Sequence, residues 1–260
     1  MPDMADLMEY PSPTAMSPEE WAVRVDLAAA YRLVALYGWD DLIFTHLSAK
    51  VPGAEDHFLI NPYNLMFEEI TASSLVKIDV NGRKVNDSRA MVNEAGFIIH
   101  SAIHMSRHDA KAVMHLHTPH GQAVSAMAEG LLPHTQTGMI AGADISYHDY
   151  EGIATDPAER ARLVADMGDA HSMILRNHGT LTVGETVADA FLRLYFLERA
   201  CEAQVHMLAA GRGGLVKPPP GTAEKVRDQT GHDSTAIAAR MLVWPALLRK
   251  LDRIDPGFRN

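Results

Sequence analysis

The chain has 260 residues, 47% hydrophobic, 22% charged and 7% aromatic, with 18 Gly and 14 Pro; this is a globular composition with enough apolar side chains for one large domain or two small ones, and it excludes a low-complexity or collagen-like chain. No stretch approaches the roughly 18 apolar residues of a membrane span, the start MPDMADLMEYPSP has neither the basic residues nor the apolar run of a signal peptide, and the net charge of −10 comes without a Lys/Arg cluster, so a cytoplasmic protein that binds neither nucleic acid nor an anionic membrane is expected. The single cysteine, Cys201, excludes an internal disulfide and a Cys-cluster metal site, and its helical context predicts a buried apolar thiol.

Residues 1–16 carry three prolines and little periodicity and are expected to form a flexible arm. Ser17-Pro18-Glu19-Glu20 is a capping box, with Ser at the N-cap, Pro at the first helical position and Glu three residues after the cap. Trp21, Val25, Ala28, Ala29, Arg32 and Leu36 follow at helical spacing, and Gly38 is a natural stop. Strands are predicted at 42–51, 57–61 and 75–80, the last followed by the hairpin signal Asn81-Gly82. A helix is predicted at 95–107 and a buried strand at 111–117. Asp156-Pro157-Ala158-Glu159 reads as a second capping box, opening a helix to Met167. Strand-like 172–175 and 180–183 flank Arg176-Asn177-His178-Gly179, and a long amphipathic helix spans 186–210. A Gly/Pro-rich connector at 211–221 leads to a helical C-terminal segment. The expected organisation is the arm at 1–16, an α/β domain at 17–211, and a linker with a C-terminal helical extension at 212–260. Trp244 and Leu248 are expected to pack that extension on the domain or on a neighbouring subunit.

Of the 14 histidines, most lie between His100 and His178. Histidine is the commonest metal ligand and the usual acid–base group near neutral pH. His115 and His117, at i and i+2 on a strand, share one face, and both could reach one ion at the roughly 2.0–2.1 Å of a His–Zn bond. His178 sits between two strands, where Gly179 allows a sharp turn. Three His ligands with an open fourth position make a catalytic-type site, whereas isolated histidines in strands are more often satisfied core residues. His104 and His108 are expected in solvent or interface roles. The segment SYHDYEG (146–152) reads as a structural turn, with structural roles for Asp149 and Tyr150.

At these residues the sequence resembles the class II aldolase/adducin family, in its adducin-like branch. The matching stretches are HFLINPYNLMFEEITASSLVKI (57–78), NEAGFIIHSAIH (93–104), AVMHLHTPHGQAVSAMAEGLLP (112–133), SYHDYEG and LRNHGTLTVGETVADAF (175–191). The resemblance implies a single-domain three-layer α/β/α sandwich, often a homotetramer with sites near subunit interfaces. It also implies a divalent ion on His115, His117 and His178, with zinc expected and manganese or iron as alternatives. The sugar-phosphate aldolases of the family carry a metal-binding, proton-moving Glu four residues before the histidine that is His100 here; that position is Gly96. Glu94 falls where the first of two phosphate-binding serines stands. The phosphate-binding Asn of the first strand matches His46, and a Thr-Gly pair matches Tyr63-Asn64. A carboxylate repels a phosphate dianion, so a non-phosphorylated substrate is expected. His46 and Asn64 are the substrate-binding candidates, and Glu94, Tyr147 and His148 the acid–base candidates, with His100 an alternative.

Three functions follow as expectations. The first is a metal-dependent carbon–carbon lyase, of aldolase or decarboxylase type, on a small carbonyl compound or 2-oxo or hydroxy acid. The second is an Fe(II)-dependent oxygenase on the same histidines. The third is a non-catalytic assembly module of the adducin-head kind. For the last, the absence of a long tail and a Lys-rich terminal segment after the head-like region argues against a spectrin–actin role.

Overall fold

The computed structural model describes residues 16–85, 88, 90–152 and 158–260, without the side chains of residues 55, 94–98 and 232. Ser17 caps helix α1 (Pro18–Leu36), its hydroxyl accepting the Glu20 amide at 3.1 Å. The apolar face buries Val25, Leu27, Ala28, Ala29, Leu33 and Val34. Two buried positions defy the pattern, Glu20 and Arg24. Arg24 is fully buried, its Nε donating to Glu20 at 2.9 Å and its NH1 to the carbonyls of Leu75 (2.7 Å) and Ala72 (3.2 Å).

Seven strands form one sheet: β1 (His46–Val51), β2 (Ala54–Ile60), β3 (Val76–Asp79), β4 (Ala112–Leu116), β5 (Ile145–His148), β6 (Ser172–Leu175) and β7 (Gly179–Gly184). Their order is β3-β2-β1-β4-β7-β6-β5, and every neighbouring pair is antiparallel except β5 with β6. The β3 turn is built by Asp79, whose Oδ1 accepts the Asn81 and Arg83 amides at 2.8 and 2.9 Å, while Gly82 takes a left-handed φ of 77°.

Helices cover both faces. On one, α1 and α6 (Val187–Leu208) bury Leu33, Phe191 and Leu194 against Leu47, Ala112, Met114 and Leu116. On the other, α2 (Glu94–Ser106) and α5 (Glu159–Met167) bury Ile99, Ile103, Leu163 and Met167 against Val113, Met173, Leu181 and Val183. Alternate residues of β4 thus serve the two cores, as a doubly covered strand requires. The result is the expected three-layer α/β/α sandwich. Among the described residues no helix is long and apolar enough to cross a membrane.

Three elements are absent from the sequence-based expectations. Helix α3 (Pro119–Ser125) is capped by Thr118 and helix α4 (Gln136–Gly142) by Thr135, each hydroxyl accepting the amide three residues on. Ile145–His148, expected as a turn, is the edge strand β5. The expected cap at 156–157 lies outside the described residues. After residue 211 come α7 (Thr222–Gln229), α8 (His232–Ile237), a π-helical segment Ala238–Val243 and α9 (Trp244–Ile254). This extension packs on the domain itself. Trp244 is buried, its indole donating to Asp26 at 2.8 Å, and Leu248 lies half-buried on the same core. Arg240 grips Asp189, the capping-box residue of α6, at 2.6 Å.

Candidate metal centre

The three expected ligands converge at the centre of the sheet. His115 is the next-to-last residue of β4, His117 follows the strand, and His178 precedes β7, the antiparallel neighbour of β4. His117 Nε2 lies 2.9 Å from His115 Nε2 and 2.8 Å from His178 Nε2. Gly179 lets the strands close here: a Cβ on it would sit 2.2 Å from the Leu116 carbonyl oxygen and 3.3 Å from His117 Cδ2. The sharp turn expected at Gly179 is made instead by Asn177, with φ of 55°, a conformation Asn tolerates.

The hydrogen-bond partners decide where the protons are. His115 Nδ1 faces the Thr180 carbonyl at 2.9 Å, and a carbonyl can only accept, so Nδ1 carries the proton. His117 Nδ1 faces Asp41 Oδ2 at 3.3 Å and by the same logic donates. All three rings are held neutral. Burial, then the charges of His178 and His117, keeps His115 well below the usual range; burial lowers His117 against the opposing pull of Asp41; burial and then His117 bring His178 down to about 4. Neutral rings protonated at Nδ1 have bare lone pairs at Nε2. His115 and His117 therefore present two acceptors to each other at 2.9 Å with no proton between them. A cation removes that repulsion. Tetrahedral ligands at a metal–nitrogen distance of about 2.0–2.1 Å stand roughly 3.3 Å apart, within about half an ångström of the spacing here. The residues fit a divalent ion. His115 is buried while His117 and His178 are half-buried, which leaves one side open to a substrate.

Asp41 belongs to a turn with unusual backbone. Leu42 and Thr45 both take left-handed φ values, 54° and 67°. That is strained for a leucine and more so for a β-branched threonine, at about 1–3 kcal/mol each. The turn brings the Asp41 carboxylate to His117 just before the chain enters β1.

Behind the cluster, on the sheet face under α2, lies a column of buried polar groups. His46 is paired with His115 across β1 and β4, their ring centroids 6.1 Å apart, and the His46 ring lies 4.0 Å from that of His100. Ser48 Oγ bridges His100 Nδ1 (2.6 Å) and His104 Nε2 (2.7 Å). His104 Nδ1 donates to the Ala110 carbonyl at 2.6 Å, and its ring stacks on Phe58. His104, expected in solvent or at an interface, is thus fully buried, because Ser48 and Ala110 satisfy both ring nitrogens. Burial brings it down to about 3, and burial also holds His100 well below its usual range. His108 is exposed, as expected.

The other expected site residues have varied placements. Asn64 has a buried Oδ1 without a hydrogen-bond partner among the described residues. Glu94 is the first residue of α2, and its side chain lies outside the described set. Tyr147 accepts the Leu131 amide at 3.1 Å on its hydroxyl and carries the Arg176 guanidinium 4.3 Å from its ring centroid. His148 is buried, with Nδ1 on Asp166 at 2.7 Å and Nε2 3.5 Å from Glu159 Oε1. These two side chains therefore tie β5 to its surroundings. Two residues further on, Tyr150 is half exposed and stands edge-on to His178, ring centroids 6.1 Å apart. Tyr150 and Asp41 stand beside the histidine cluster, and sequence reasoning placed neither of them there. Tyr150 had a signal in its place two residues beyond a matched His; Asp41 had none. A cleft of about 780 Å³, lined by Lys50, His108, Lys111 and Glu185, opens at the far end of β4, away from His115, His117 and His178.

Known proteins share this architecture. A crystal structure of an aldolase II superfamily protein from Pseudomonas syringae superimposes with a TM-score of 0.88 at 50% identity, covering 95% of this chain and 98% of that one. An L-fuculose 1-phosphate aldolase from Glaciozyma antarctica superimposes with a TM-score of 0.80 at 27% identity, covering 98% of each chain. Mouse alpha-adducin is 45% identical over 253 residues, which are 93% of this chain and 34% of the adducin. Residues 25–205 match the family model for the class II aldolase and adducin N-terminal domain, and the chain belongs to that family.

Proposed function

We propose that the chain is a metal-dependent carbon–carbon lyase of aldolase or decarboxylase type. Its substrate would be a small non-phosphorylated carbonyl compound or a 2-oxo or hydroxy acid. The observation that carries this reading is the pair of bare lone pairs on His115 and His117 Nε2, 2.9 Å apart, with their protons committed to Thr180 and Asp41. The chemistry a bound divalent ion supplies here is polarisation of a substrate carbonyl, which stabilises the negative charge left when the carbon–carbon bond breaks. The all-imidazole ligand set suits zinc, with manganese and iron as the alternatives the metal analysis would reveal.

The chain's own residues supply the rest. Tyr150, beside His178 and open to solvent, is the group we assign to proton transfer at the reacting carbon, with Glu94 at the start of α2 as its carboxylate counterpart. We keep Tyr147 and His148 as supports of that segment, since their polar atoms engage Leu131 and Asp166. Asn64 and His46 are assigned to the substrate; the unpartnered Asn64 Oδ1 would accept a hydroxyl proton. A carboxylate at position 94 favours an unphosphorylated substrate. A cytoplasmic homotetramer completes the reading, and sedimentation tests its assembly state.

The test is metal content by mass spectrometry on untagged protein purified without chelator, followed by turnover across a panel of 2-oxo and hydroxy acids with Zn²⁺ or Mn²⁺. About one ion per chain, together with cleavage activity that His117→Ala abolishes, is the expected result. No turnover by a fully loaded protein overturns the lyase. The 45% identity with alpha-adducin over 93% of this chain then favours a second reading, a non-catalytic assembly module. Oxygen uptake with Fe(II) would instead select an oxygenase.

A further inference from the structure

Glu198 is a carboxylate in the wrong place for a structural residue. It lies midway along α6 and is 2% exposed. Its two oxygens take the hydroxyl protons of two threonines: Thr118 Oγ1 lies 2.5 Å from Oε2, and Thr180 Oγ1 donates to Oε1. The direction at Thr118 is fixed, because the Gly121 amide donates to the same hydroxyl at 2.9 Å and leaves its proton for Glu198. Among the described residues no cationic side chain pairs with this carboxylate. Removing an unpaired carboxylate from water costs several kcal/mol, and burial accordingly pushes its carboxyl upward.

The two threonines are neighbours of the ligands. Thr118 follows His117 in the chain. The Thr180 carbonyl receives the His115 Nδ1 proton at 2.9 Å. One buried carboxylate therefore grips both segments that carry the three histidines. The grip is tightly packed: a Cβ on Gly121 would lie 2.8 Å from Thr118 Oγ1, 3.0 Å from Thr180 Cγ2 and 3.4 Å from Glu198 Oε1.

We propose that Glu198 is a positioning residue of the metal centre, holding His115 and His117 in register through Thr180 and Thr118 and serving as the buried counter-charge of the cation they bind. This rests on the three-histidine reading of the site. A plain acceptor that caps α3 would need neither a charge nor the second threonine.

The experiment compares wild type, Glu198→Gln and Thr180→Val. Zn²⁺ affinity is read by competition with a chromophoric chelator, and melting temperature is read with and without Zn²⁺. Glu198→Gln should weaken Zn²⁺ binding about ten- to a hundredfold, the range for outer partners of metal-bound histidines. Its metal-free melting temperature should stay level or rise, because a neutral amide is cheaper to bury. Thr180→Val, which keeps the charge and removes one of its two tethers, should show a smaller loss, and it carries the test if the glutamine variant does not fold. Zn²⁺ affinity within twofold of wild type in both variants overturns the proposal, as does a fall in metal-free melting temperature with affinity unchanged. Failure of Zn²⁺ to bind the wild type overturns the three-histidine reading itself, and this inference with it.

Discussion

Asp41 Oδ2 lies 3.3 Å from His117 Nδ1, and this contact leaves His117 Nε2 to face His115 and His178. A carboxylate on the far side of a ligating imidazole fixes its tautomer and raises its basicity. Asp41→Asn can present its NH2 group to Nδ1 and reverse the tautomer, moving the proton to Nε2. The expected outcome is a loss of metal affinity of about ten- to a hundredfold with little change in metal-free stability, since the Asp41 side chain is 45% exposed. Chelator competition measures the first and urea unfolding the second.

The strands meet over a glycine. Gly179→Ala would place a methyl 2.2 Å from the Leu116 carbonyl oxygen and against the His117 ring. The backbone must then give way between two ligands. Destabilisation of about 1–3 kcal/mol is expected from overpacking, together with loss of bound metal. Gly142→Ala, where a Cβ meets nothing within 4 Å at the end of α4, should be neutral or slightly stabilising. Thermal melts with metal analysis of both variants check this.

His104 makes the fold sensitive to acid. The unfolded chain protonates this residue near 6.5, the folded chain only at about 3. Between those values the unfolded state binds more protons, so stability falls as pH drops through that window and is fully present above it. From pH 7 to pH 5 this group alone should account for a loss of about 2 kcal/mol, and His100, lowered for the same reason, adds in the same direction. His104→Gln should flatten the stability–pH curve over this range. Urea titrations at several pH values would show it.

Arg24 offers a sharper energetic test. Its only carboxylate partner among the described residues is Glu20, and the guanidinium is fully buried. Glu20→Ala would leave that charge with two backbone carbonyls. A cost of about 3–5 kcal/mol follows from stranding a buried cation, readable as a drop in the urea midpoint.

Much of the architecture was legible in local sequence. The Ser17 cap, the apolar spacing of α1 and the alternation in β4 are each stated by one segment alone, although the Glu20 carboxylate, expected as the other half of a capping box, turns to Arg24 and Lys77 instead. The three-histidine cluster was legible too, because His-x-His on a strand and Asn-His-Gly before another are local signals. What was illegible depends on which strands lie side by side. Ser48 reaches His100 and His104 only because β1 pairs with β4 in one register, setting His46 opposite His115. Nothing within 40–50 reveals that pairing, so His104 reads there as a polar surface residue. Asp41 and Glu198 were hidden for the same reason, one in an irregular turn and the other 81 positions along the chain from His117 in an amphipathic helix. The edge strand β5 escaped because its burial is too incomplete to alternate cleanly.

Cys201 follows Glu198 by one turn of α6 and is wholly buried in the cluster of Val124, Ala141, Ile174 and Leu197. Burial pushes its thiol well above the usual range, so it is unreactive while that cluster is closed. A thiol reagent reaches it only when that cluster opens, and an opening that lifts α3 from α6 would also release Thr118 from Glu198. The chain's only sulfhydryl is thereby a built-in clock for local opening behind the histidines, and its labelling rate reads how often that part of the molecule breathes.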